Sequence, residues 1–92
     1  MAQKIGSFQF TRQFRKEYKK LPEEIRKAFD EKFVLFLSNI NHPSLSVKRI
    51  QGTANRWGGS VTMKYRFTFQ FSNGDVIFRT IGTHDILNSA RP

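Results

Sequence analysis

From Ser60 to Phe71 the chain reads SVTMKYRFTFQF, apolar at every second position without a break. A repeat of two is the period of a β-strand with one face in a core and the other facing out. It assigns Val61, Met63, Tyr65, Phe67, Phe69 and Phe71 to the core, and Ser60, Thr62, Lys64, Arg66, Thr68 and Gln70 to a polar row. Ser72-Asn73-Gly74-Asp75 then predicts a hairpin, because Asn-Gly accepts the positive φ angles of a type I′ turn and a two-residue loop sets the register. Counting back pairs Phe71 with Val76, Phe69 with Phe78 and Thr68 with Arg79. Arg79 is therefore expected on the face of Arg66, one diagonal step away.

The N-terminal half carries the other period. Ser7 to Phe10 predicts a short strand, and Thr11 an N-cap for a helix running to about Lys20. Phe14, Tyr18 and Leu21 share one face of that helix, while Arg12, Arg15, Lys16 and Lys19 line another. Pro22 suits the first turn of a second helix, with Glu23 and Glu24 at its positive end. Ile25, Phe29, Phe33, Phe36, Leu37 and Ile40 recur at three- and four-residue intervals, so this helix presents an aromatic ridge to the sheet. Asn39 to Pro43 stops it. Leu45 to Ile50 reads as a strand and Gly52 to Asn55 as a turn. The fold class is α+β: two N-terminal helices on one face of a small, mainly antiparallel sheet of three to four strands, the other face left open. Ninety-two residues support one core, so residues 1–92 are read as a single domain.

Charge adds a partner class. There are 16 Lys and Arg against 7 Asp and Glu, and residues 32 to 74 contain no acid while including Lys32, Lys48, Arg49, Arg56, Lys64 and Arg66. Such a field concentrates polyanions, which makes nucleic acid the leading partner. Two arginines side by side repel unless an anion sits between them, and the planar guanidinium fork matches phosphate oxygens. The same pattern is equally compatible with two solvated surface arginines. Absence of cysteine excludes disulfides and thiolate metal sites, and no apolar run approaches the roughly 20 residues that span a bilayer. The expectation is a cytoplasmic protein without a membrane anchor.

Several segments together resemble the RelE/ParE superfamily of toxins from toxin-antitoxin pairs. They are Lys20-Leu21-Pro22 between the helices, His42-Pro43-Ser44-Leu45 ahead of Val47-Lys48-Arg49-Ile50-Gln51-Gly52, Trp57, Tyr65-Arg66, and the ending Ile81-Gly82-Thr83-His84-Asp85. The likeness runs through nearly the whole chain in order. It implies the RelE-like fold, an antitoxin protein as partner, and, in the RelE branch, cleavage of messenger RNA in the A site of the ribosome without metal or other cofactor. The implied reaction is attack of a ribose 2′-OH on the adjacent phosphate, leaving a 2′,3′-cyclic phosphate and a 5′-OH. The resemblance places Arg66 on the scissile phosphate and His84 as acid or phosphate ligand, a role suited to a group that titrates near neutrality. Lys48 is the further catalytic candidate, and Arg49, Arg56, Lys64, Arg79 and Trp57 are candidates for binding RNA.

The departures from the family are specific. Gly58 and Ser60 stand roughly where RelE carries two lysines, and no acid precedes that strand where other ribonuclease relatives keep a glutamate base. His84 and Lys48 are the remaining candidates for accepting the 2′-OH proton. Two other functions therefore remain open: a ParE-like poison of DNA gyrase without nuclease activity, and an inactive homologue that binds RNA or antitoxin. Trp57 and Tyr65 are read as base-stacking or as core residues, with the alternation favouring the core for Tyr65, and His42 as structural.

Overall fold

The structure, a computed structural model, describes residues 7–83. Its elements follow as β1 (Phe8–Phe10), α1 (Arg12–Lys20), α2 (Glu23–Ser38), a 3-10 turn (Pro43–Leu45), β2 (Lys48–Arg49), β3 (Trp57–Ser60), β4 (Tyr65–Ser72) and β5 (Asp75–Thr83). The strands form one sheet in the order β1-β5-β4-β3-β2; β1 runs parallel to β5 and every other pair is antiparallel.

Local chemistry explains the helix ends. Thr11 caps α1 by accepting the Phe14 N–H at 3.1 Å, and Leu21, buried, closes it by donating its N–H to the Tyr18 carbonyl. Glu23 and Glu24 fill the first turn of α2, where the helix dipole favours negative charge. Both helices lie on one face of the sheet, where Phe14, Phe29 and Phe36 close a core with Phe67, Phe69 and Phe78. Asn73 and Gly74 adopt φ of 52° and 85°, the left-handed pair that the Asn-Gly hairpin requires.

The sheet departs from the sequence expectation in four places. It has five strands among the described residues, because the N-terminal strand pairs with β5 and residues 57–60 form a strand of their own. The unbroken alternation from Ser60 to Phe71 is not one strand. The chain turns at residues 61–64, where Thr62 Oγ1 accepts the N–H groups of Lys64 and Tyr65 and the Val61 and Thr62 N–H groups donate to the Tyr65 carbonyl. A hydroxyl competing for backbone donors makes a turn that alternation cannot reveal. Met63 consequently lies 93% exposed at its tip, not in the core.

The expected strand over Leu45 to Ile50 is mostly a 3-10 turn. His42 Nδ1 accepts the Ser44 N–H at 3.1 Å, giving His42 the structural role expected of it. Leu45 is fully buried and Ser46 takes a positive φ of 48°, so only Lys48 and Arg49 pair. Leu37, assigned to the ridge of α2, is exposed, since the sheet under that end of the helix meets Phe36 and Ile40 instead.

The fourth departure is a β-bulge in the central hairpin. Phe71 pairs with Val76 and Phe69 with Phe78 as expected, but Thr68 pairs with Thr80, leaving Arg79 unopposed. The bulge is held from the helix layer. Thr11 donates its N–H to the Phe78 carbonyl at 3.0 Å and its hydroxyl to the Arg79 carbonyl at 2.9 Å, while Glu17 accepts the Ile81 N–H at 3.2 Å. Thr11, the cap of α1, and Glu17 within the helix thus satisfy the edge of β5 beyond the end of β1.

One close approach sets the β3–β4 spacing on the helix side. Gly59 pairs with Phe67, and a Cβ at Gly59 would stand 2.4 Å from Phe67 Cζ. Phe67 is enclosed by Phe29, Phe36, Phe69 and Phe78 and has little room to withdraw. Gly59→Ala is therefore expected to cost about 1–3 kcal/mol by overpacking. Urea titration checks this, and an unchanged midpoint would show that the ring moves freely.

Candidate nucleic-acid interface

The sheet face away from the helices carries the polar row of β4. Register places Arg66 between Ser60 of β3 and Gly82 of β5, and Thr68 between Gly58 and Thr80, with Lys48 of β2 beyond Gly58. Glycines at two of these neighbouring positions leave space around the Arg66 side chain. A cavity of about 380 Å³ results, lined by Ser46, Lys48, Arg49, Ile50, Gln51, Gly58 and Arg66. Among the described residues, its lining holds three cations and no carboxylate. Thr68, though part of the polar row, is 1% exposed, and its hydroxyl shares a hydrogen bond with that of Thr80 at 2.5 Å.

Arg66 is the residue whose chemistry is least satisfied. Its Nε is buried with no hydrogen-bond partner. Leaving a buried donor unpaired costs about 1–3 kcal/mol, more on a charged group. With Lys48 and Arg49 beside it, the Arg66 guanidinium stands among like charges, and an anion entering the cavity stabilises all three.

Arg79 faces this side too, but its neighbour is not Arg66. Its Nη1 donates to Gln70 Oε1 at 3.1 Å, and the same oxygen accepts the Nη1 of Arg56. The bulge is the cause: by removing Arg79 from register with Thr68 it lets the side chain meet the row at Gln70. Burial first, and the Arg79 charge second, lower the proton affinity of Arg56 from the ordinary guanidinium value, although arginine starts so high that it stays charged near neutrality.

The remaining candidates are distributed differently. Lys48 and Arg49 line the Arg66 cavity. Lys64 is exposed in the β3–β4 turn and does not line it. Trp57 shares a register row with Phe69, packs against the core and meets Phe71 edge-to-face at 5.7 Å. Tyr65 is half-buried against the same core. His84 lies outside the described residues. Sequence reasoning passed over Gln70 as a functional residue, and also Ser46 and Gln51; neither type announces chemistry, and only the loop and bulge geometry brings them beside cations. Among the described residues, no group of three or more His, Cys, Asp or Glu is placed to hold a metal ion, and no helix is long and apolar enough to cross a membrane.

No protein-family model and no curated protein sequence matches this chain. Solved structures do. The toxin-antitoxin complex RelB-RelE from Methanococcus jannaschii superimposes with a TM-score of 0.72 at 22% identity, covering 90% of this chain and 98% of that one. The E. coli DinJ-YafQ complex gives a TM-score of 0.73 at 16% identity, covering 92% and 97%. The YoeB/ParE toxin from Agrobacterium tumefaciens gives 0.70 at 12% identity, covering 85% and 98%. The chain therefore has the α+β fold of the RelE, YafQ and YoeB toxins over almost the full length of each.

Proposed function

We propose that this chain is the toxin of a toxin-antitoxin pair and that it cleaves messenger RNA on the ribosome. The observation that carries the reading is the Arg66 guanidinium, unpartnered at a buried Nε, in a cavity whose other charged residues, among those described, are Lys48 and Arg49. The fold shared with RelE, YafQ and YoeB toxins supports the toxin role.

The reaction is an internal transesterification. The 2′-oxygen bonds to phosphorus, the bond from phosphorus to the 5′-oxygen breaks, a proton leaves the 2′-OH and another reaches the departing oxygen. Negative charge accumulates on the phosphorane between these events. Arg66 holds the phosphate, and Lys48 and Arg49 oppose the developing charge. Among the described residues no histidine or carboxylate lines the cavity, which leaves Lys48 there, and His84 beyond them, to handle protons. A site with a weak base depends on its substrate being delivered in a reactive geometry, and alignment alone supplies a large part of such a barrier. The ribosome is the partner that would hold the message so. An antitoxin with acidic and apolar residues complements the basic face and folds as it binds.

The test is to add purified protein to ribosomes programmed with a defined message and to map fragment ends. Cuts at the A site with 5′-OH and cyclic phosphate ends are expected. Intact message, with gyrase-cleaved DNA accumulating in its place, would overturn the ribonuclease reading in favour of a gyrase poison.

A further inference from the structure

Away from Arg66, the open face contains a second basic group. Arg56 and Arg79 both donate to the single carbonyl oxygen of Gln70. Among the described residues neither has a carboxylate partner: the ion pair found there is Lys27 with Glu23, on the exposed surface of α2. Two guanidinium charges thus converge on a neutral acceptor. A glutamate at this position would neutralise one of them and would serve stability better.

The backbone under both arginines is clamped. Asn55 donates its Nδ2 to the Phe71 carbonyl at 2.6 Å and accepts the Phe71 N–H at 3.2 Å, tying the loop before Arg56 to β4. Thr53 Oγ1 accepts the Arg56 N–H at 3.3 Å, and the Arg56 carbonyl accepts the Ile50 N–H at 2.7 Å. Arg79 is fixed by the bulge whose carbonyl Thr11 holds. Gln70 gathers the two guanidinium groups above this clamped backbone before any ligand arrives, which lowers the conformational entropy to be lost on binding.

From this we infer that Arg56, Gln70 and Arg79 form a second phosphate subsite, which holds another phosphate of the same RNA strand whose scissile phosphate lies at Arg66. The inference rests on the ribonuclease reading for the strand's course. Gln70 follows Arg66 by four residues on the same face, about 13 Å at the rise of a strand, so an RNA laid along β4 meets both. A phosphodiester brings one negative charge and two free oxygens, enough to take one donor from each guanidinium. The Gln70 amide nitrogen supplies a further donor beside them. A carboxylate from an acidic protein segment would satisfy the same donors. The RNA strand is favoured because the subsite shares the face and the strand of the Arg66 cavity.

The decisive experiment measures binding of a 2′-O-methylated single-stranded hexaribonucleotide, which cannot be cleaved, over a range of salt. Wild type is compared with the double variant Arg56→Gln/Arg79→Gln and with Gln70→Glu, each melted to verify folding. The double variant is expected to bind at least about tenfold more weakly at low salt, from the loss of hydrogen bonds between charged partners. Its plot of log affinity against log salt should flatten by about 0.7, the value for one single-strand phosphate contact. Gln70→Glu is expected to bind more weakly and yet melt higher, opposite signs that a merely structural role would not produce. Wild-type affinity and slope in all variants would overturn the subsite while leaving the Arg66 reading intact, and a wild type that binds no hexanucleotide would overturn it as well. If, with polyglutamate titrated in parallel as a carboxylate probe, the double variant loses polyglutamate binding but retains hexanucleotide binding, the subsite belongs to a protein partner and the RNA assignment is overturned. If the variants behave as expected but the wild type cuts no message on ribosomes, the subsite stands and the nuclease reading falls.

Discussion

Arg66→Ala is expected to reduce ribosomal message cleavage by at least about a hundredfold, the usual loss when one preorganised donor to a developing oxyanion is removed. Its fold should survive. The guanidinium Nε is buried without a partner, so truncation removes an unfavourable term from the folded state, and the melting temperature is expected to hold or rise. Arg66→Lys should recover little, because an ammonium presents a point charge where a planar fork is needed to span two phosphate oxygens. Fragment-end mapping with the variants, beside thermal melts, reads both halves of the expectation. Cleavage at the wild-type rate would remove Arg66 from the reaction, and a large fall in melting temperature would recast it as a structural residue.

The largest expected loss of stability follows Phe78→Ala. Phe78 is fully buried on β5, with ring centroids within 6.2 Å of Phe10, Phe14, Phe29, Phe33, Phe36, Phe67 and Phe69. It is the side chain on which β1, both helices and β4 converge. A cavity there cannot collapse from one side alone, because its walls belong to four elements. Removing such a ring costs about 3–5 kcal/mol, out of a total for a small domain of roughly 5–15 kcal/mol. Denaturant titration should place the variant near the edge of folding, with Phe78→Leu losing much less because most of the volume is kept. A small loss in Phe78→Ala would mean that the aromatic layer repacks as a fluid, contrary to the close contacts it makes.

Much of the helix layer was legible because its signals are local. Thr11 caps, Leu21-Pro22 separates the helices, and the phenylalanine spacing of α2 names a buried face whichever sheet it meets. The Asn73-Gly74 hairpin was legible for the same reason: positive φ is demanded within the turn itself. Alternation misled between Ser60 and Tyr65, because the turn retains a period of two while Thr62 redirects the backbone by hydrogen bonding. Met63 carried no mark in the sequence of the exposure that results.

At the site the division has the same origin. The charge pattern named Arg66, Lys48 and Arg49 among six cations of an acid-free stretch, the family resemblance suggested their roles, and the structure places these three around one cavity. The grouping of Arg79 was different. Simple counting from the hairpin set it diagonal to Arg66, whereas the bulge delivers it to Gln70 and Arg56. That bulge is stabilised by Thr11 and Glu17, more than 60 residues earlier in the chain. The sequence by itself determined which residues are charged, which faces are apolar and where short-range turns fall, since each depends on neighbours a few positions away. Only the tertiary structure decided which cations share an acceptor and which stand unpartnered, because strand register is the joint outcome of contacts between segments that meet only when the chain has folded.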